Sequence, residues 1–157
     1  MTKLIKFCAS LGLIVAFAGD AFAQEDRTEA AQAAVNDMAR EIVECAVYFD
    51  IVAAVLLGSN ERATSQKYVG AHKLAIARAD SLSPGVVKAQ YDLMVKEMTK
   101  KVAMANIPKK IEPNLSNVSM TEISVLQNQY GQLCKEVVND PGERAKYWMK
   151  QVGSPTP

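Results

Sequence analysis

Few side chains in this sequence belong to the types that do chemistry, and most lack the neighbours that chemistry needs. His72 is the single histidine. Helical metal centres ordinarily show Glu-x-x-His or His-x-x-x-His, which set two ligands one turn apart, and neither pattern occurs. Glu41 and Glu44 share a helical face, but no histidine follows to complete a ligand set. Met94 and Met98 lie one turn apart. With His72 from a facing helix, their thioethers would suit copper(I) or a haem iron. Covalent haem attachment would need Cys-x-x-Cys-His, which is absent. Methionine also fills gaps in helical cores, so the pair reads first as packing. His72 likewise reads first as a core-edge residue bonded to a neighbour.

Asp50 falls at the edge of the most apolar stretch. A buried carboxylate needs a partner or an altered pKa, which makes Asp50 a candidate site residue. The plainer reading pairs it with a Lys, an Arg or a Tyr hydroxyl from another helix. Tyr147-Trp148 holds the only tryptophan. Such pairs anchor interfaces, although Trp148 shares a helical face with Ala145 and Val152 and so suits a lid on a bundle end. No phosphate-binding Gly-rich loop, nucleophile elbow or triad pattern is present.

The elements that must carry these residues are helices. Val35, Met38, Ile42, Cys45, Phe49, Val52 and Leu56 alternate in steps of three and four, the seam of a helix packed on other helices. Ala39, Val43, Ala46, Ala53 and Leu57 widen that stripe, so two neighbours are expected. This helix is expected to start near Asp26 or Thr28 and to end at Gly58 in a left-handed cap. Ser59 and Asn60 should cap a second helix to Ala79. Ser83 with Pro84 should start a third, running to Ala105. Asn106 to Val118 is a long connection containing Pro108 and Pro113. It carries Lys109, Lys110 and two glycosylation-type triplets at Asn114 and Asn117, which matter only in a eukaryotic pathway. Ser119 and Glu122 form a capping box for the fourth helix, whose seam is Ile123, Leu126, Tyr130, Leu133 and Val137. Asp140-Pro141 restarts the chain as a short fifth helix.

Lys3 and Lys6 precede the apolar run Phe7 to Ala18, and Ala21-Phe22-Ala23 offers small residues for cleavage. Residues 1–23 therefore read as a secretory signal peptide, cut between Ala23 and Gln24. The leader takes two lysines and one aspartate from the 18 basic and 17 acidic residues, leaving 16 of each. A neutral mature chain argues against a nucleic-acid partner. Cys45 and Cys134 remain, and an even count in an oxidising compartment predicts one disulfide. Cys45 lies about 18 Å before the end of its helix and Cys134 about 22 Å after the start of its own. Antiparallel helices would bring the two level.

These readings converge on an all-α fold: an up-down-up-down four-helix bundle with a short fifth C-terminal helix and one interhelical disulfide. Residues 24–152 form a single domain and 153–157 a disordered tail. The expected role is a non-enzymatic binding or structural one in the periplasm or outside the cell. It requires no cofactor and no stable membrane insertion, and its partner is expected to be a protein of the cell envelope. The alternative is a ligand, haem or metal carrier using His72, Met94 and Met98 in the bundle core. An enzyme with Asp50 as acid or base ranks last. The surfaces expected to carry recognition are the connection Asn106 to Val118 and the Tyr147-Trp148 end.

Overall fold

Between Ala34 and Leu56, helix α1 (Leu11–Gly58) is apolar on nearly every side. Ile42, Val43, Val47, Val52 and Val55 are all fully buried although they point in different directions around the helix. A helix apolar all round must be enclosed. The computed structural model, which describes residues 11–106 and 118–152, encloses it with α2 (Arg62–Leu82), α3 (Val86–Ala105), α4 (Ser124–Asn139) and α5 (Pro141–Val152). α1 thus has four neighbours instead of the expected two. Its side walls, which include Val47, Tyr48, Ile51 and Val55, are buried as well as its seam. Leu57, counted in the stripe, is exposed. No strand occurs among the described residues.

Contacts along the helices fix their directions. Ser65 Oγ donates to the Ala53 carbonyl (2.8 Å), His72 Nδ1 to the Ala46 carbonyl (3.0 Å), and Ser83 Oγ to Asn36 Oδ1 (2.7 Å). A step forward on α2 matches an equal step back on α1, so the pair is antiparallel. Small side chains recur on this seam: Ala39, Ala46 and Ala53 on α1, Ala75 and Ala79 on α2, all buried. They let the backbones approach closely enough for side chains to reach carbonyls across the interface. α4 is antiparallel to α1 as well, because Cys134 bonds Cys45 while Tyr130, one turn earlier, packs near Tyr48 at 6.2 Å. Lys101 reaches Tyr130 and Gln129, and Asn106 reaches the Glu122 carbonyl, which sets α3 antiparallel to α4. The four long helices are an up-down-up-down bundle.

The Cys45–Cys134 disulfide is fully buried, with Cα atoms 5.2 Å apart. Cys134 lies within the α4 seam and Leu133 at its edge, the reverse of their expected positions. Tyr68, Phe49, Tyr48 and Tyr130 form a run of tilted ring contacts from α2 across α1 to α4.

Several helix ends differ from expectation. α1 extends back to Leu11 without a start at Asp26 or Thr28, since residues 11–28 hold no proline to break it. The left-handed residue after it is Asn60 (φ 63°), not Gly58, and the Glu61 amide returns to the Leu56 carbonyl. Ser59 Oγ bonds back to Val55 and does not cap α2, which Glu61 precedes without a side-chain cap. Ser83 closes α2, and Gly85 (φ 92°), where a side chain would be strained, opens α3. The capping box is half made: Glu122 accepts from the Ser119 amide at 2.7 Å, but α4 begins later, at Ser124. At α5, which starts where expected, Asp140 Oδ1 accepts from the Glu143 amide, and Pro141 takes the first helical position.

The first ten residues of the expected leader, the Asn114 and Asn117 triplets with Lys109 and Lys110, and the tail 153–157 lie outside the described residues. Among the described residues no helix is long and apolar enough to cross a membrane.

Candidate functional site

Asp50 and His72 come together through a third residue. Tyr91 of α3 donates its hydroxyl to Asp50 Oδ2 at 3.0 Å, and its ring meets His72 edge-on at 5.8 Å. Asp50 is exposed, so the oddity expected there is a surface carboxylate with a tyrosine partner. Burial, and then the adjacent Asp50 charge, push the Tyr91 hydroxyl far above its ordinary range, which keeps it protonated and a hydrogen-bond donor. His72 must carry its proton on Nδ1, because the Ala46 carbonyl it meets can only accept. One histidine nitrogen is thereby committed to holding α2 on α1. Met98 is fully buried in the core and Met94 packs partly buried against it. Among the described residues no three His, Cys, Asp or Glu side chains form a group able to hold a metal ion.

The buried carboxylate is Glu41 of α1. Arg144 of α5 clasps it with two donors: Nε to Oε2 at 2.6 Å, and a second guanidinium nitrogen to Oε1. The Trp148 indole N–H donates to Oε2 as well, at 2.9 Å. Residues 144 and 148 lie one turn apart, so a single face of α5 presents both donors to one carboxylate. The Arg144 guanidinium also lies 4.1 Å above the Tyr147 ring, and Tyr147 meets Trp148 edge-on at 5.4 Å. Hydrogen bonding to Glu41 raises the Arg144 pKa further, so its charge is permanent. The expected apolar side of α5 is only partly used: Ala145 and Trp148 pack on the core, while Met149 is 71% exposed. Trp148 therefore both packs against the core and donates a hydrogen bond.

Beside this clasp a cleft of about 360 Å³ opens between α1 and α5, lined by Asp37, Arg40, Glu41, Glu44, Arg144, Tyr147 and Trp148. Its floor follows the solvent side of α1, where Asp37, Arg40 and Glu44 succeed one another at helical spacing. Arg40 is held by Asp37 at 3.0 Å, as Arg144 is by Glu41. Glu44 is only partly exposed and makes no ion pair among the described residues. Burial, then the neighbouring Glu41 charge, raise its pKa, against a partial offset from Lys101 of α3. The cleft thus offers a partly buried carboxylate in a lining that also holds two aromatic rings, with Tyr147 43% exposed.

The sequence reading placed Tyr147 and Trp148 among the candidates but missed Arg144 and undervalued Glu41. A signal for Glu41 existed: it stands three residues after Met38 and four before Cys45, inside the buried stripe, and an acid there demands a partner. Nothing in the sequence marked Arg144 as that partner. The connection Asn106 to Val118 lies mostly outside the described residues, although Val118 is buried and Asn106 Nδ2 ties the Val102 and Glu122 carbonyls together. The chain matches no protein-family profile, and comparison with curated proteins and solved structures found no match.

Proposed function

We propose that this is an exported, non-enzymatic binding protein that works through the α1–α5 cleft in the periplasm or outside the cell. The observation carrying this reading is Tyr147, an aromatic side chain left 43% exposed in the cleft beside the Glu41–Arg144–Trp148 clasp. A large amphipathic ring fixed by its neighbours loses little conformational freedom on binding, which is why such rings anchor interfaces. The leader-like segment and the buried disulfide support export to an oxidising compartment. Intact mass of the extracytoplasmic protein tests the export step: a chain beginning at Gln24 is expected, and one still carrying Met1 would count against it.

Complementation of a gene deletion tests the cleft. Tyr147→Ala, which removes an exposed ring and no hydrogen bond, is expected to fail to restore the lost phenotype. Asp50→Asn and His72→Gln are expected to restore it, since each keeps a polar group where the native contact is made. Failure of either of these in a stably folded protein, with Tyr147→Ala fully active, would move the function to the Asp50–Tyr91–His72 cluster.

A further inference from the structure

We propose that the α1–α5 cleft receives a lysine or arginine side chain from a basic segment of a partner protein, paired with Glu44 and walled by Tyr147 and Trp148. This inference rests on the binding reading above and specifies the partner's chemistry. The charge inventory of the lining decides the sign of the ligand. Three carboxylates and two guanidiniums face the cleft. Both guanidiniums are engaged, Arg40 by Asp37 and Arg144 by Glu41. An incoming anion would meet guanidiniums whose charge a neighbouring carboxylate already balances. A cation meets Glu44, the one carboxylate of the three that has no ion pair.

The same corner already holds one cation in the way proposed for the second. Arg144 is gripped by a carboxylate and covered by the face of Tyr147, at 4.1 Å, with Trp148 at 5.8 Å. An aromatic face and a carboxylate together favour a weakly hydrated, planar guanidinium, and an ammonium less strongly. Glu44 is partly withdrawn from water, so the attraction it offers is screened less than that of an open surface charge. The cleft volume, about 360 Å³, suits one long side chain rather than a folded domain edge. An extended basic segment, contributing one side chain to the cleft and its backbone to the exposed Tyr147 rim, fits these dimensions.

Trp148 is the only tryptophan, so its fluorescence reports the cleft directly. An acetylated hexa-arginine peptide titrated into the full protein is expected to give a saturable change in that fluorescence, weakened by added salt. Hexa-glutamate is expected to give none. Hexa-citrulline keeps the shape of the arginine side chain without its charge and should bind at least tenfold more weakly, a comparison independent of any variant's folding. Glu44→Gln, which removes no hydrogen bond, should weaken hexa-arginine binding by about tenfold, a factor worth about 1.4 kcal/mol. No saturable change, equal affinity for citrulline and arginine peptides, or undiminished binding to Glu44→Gln would each overturn the proposal. If they did so while Tyr147→Ala still abolished complementation, the binding reading would stand and the charge assignment alone would fall.

Discussion

Removing Arg144 leaves the Glu41 carboxylate buried with only the Trp148 indole N–H as a donor. A charge stranded in this way costs far more than the intact pair contributes. Arg144→Met should therefore lower the unfolding free energy by about 3 kcal/mol. Adding Glu41→Leu should recover most of that loss, because the apolar pair needs no desolvated charge. Urea unfolding of both variants checks this, and a double variant as unstable as the single one would refute it. Glu44 yields a pH prediction of opposite character. Its carboxyl titrates above the unfolded value of 4.5, so over that window the folded chain binds more protons than the unfolded one. Stability contributed by the neutral form is then present at low pH and lost as pH rises through the folded pKa. Glu44→Gln should melt higher than wild type at neutral pH, and the gap should close as the pH approaches 4.5. A gap constant across that range would show that Glu44 does not titrate as described.

Helix α2 sits on α1 through alanines, with Ser65 and His72 donating to carbonyls of the facing backbone. Such an interface tolerates no growth. Ala46→Leu should cost about 1–3 kcal/mol by forcing the helices apart and stretching the His72 bond. Ala54→Leu, on the same helix but exposed, should change stability by no more than about 0.5 kcal/mol. Thermal unfolding of the pair decides between a close seam and a loosely packed one. The seam also explains why a polar histidine lies on an apolar helix face: His72 satisfies a role that alanine could not, joining α2 to α1 at mid-height. The helix ends show the limits of local rules. Gly58 has the residue type of a left-handed cap, yet Asn60 takes that conformation, because the chain turns two residues later to place Glu61 at the start of α2.

Across the whole molecule, the disulfide ties the central helix to α4 over 89 residues of sequence. On the chain-entropy account, closing a loop of that length stabilises the fold by about 4–5 kcal/mol. Cys45→Ala with Cys134→Ala should lower the melting temperature strongly, and reductant should lower that of the native protein toward the same value. Equal melting with and without reductant, once mass confirms reduction, would exclude a stabilising bridge. α5 lies beyond Cys134 and outside that closed loop, so its attachment depends on packing and on the Glu41 clasp instead. The helix that forms one wall of the cleft is thus the one element the bridge does not secure.

Sequence by itself determined that the chain is helical, where its five helices roughly lie, and which two cysteines pair. Those features follow from a one-dimensional signal: apolar spacing of three and four residues reports a buried face, and matched distances from helix ends bring Cys45 level with Cys134. A buried face does not say what covers it. That α1 is enclosed by four helices, that Glu41 meets Arg144 at a separation of 103 residues, and that Asp50 is answered by Tyr91 were decided only by the tertiary structure. Each of these depends on how the helices are rotated about their axes and which neighbours they choose, and no local spacing encodes that rotation.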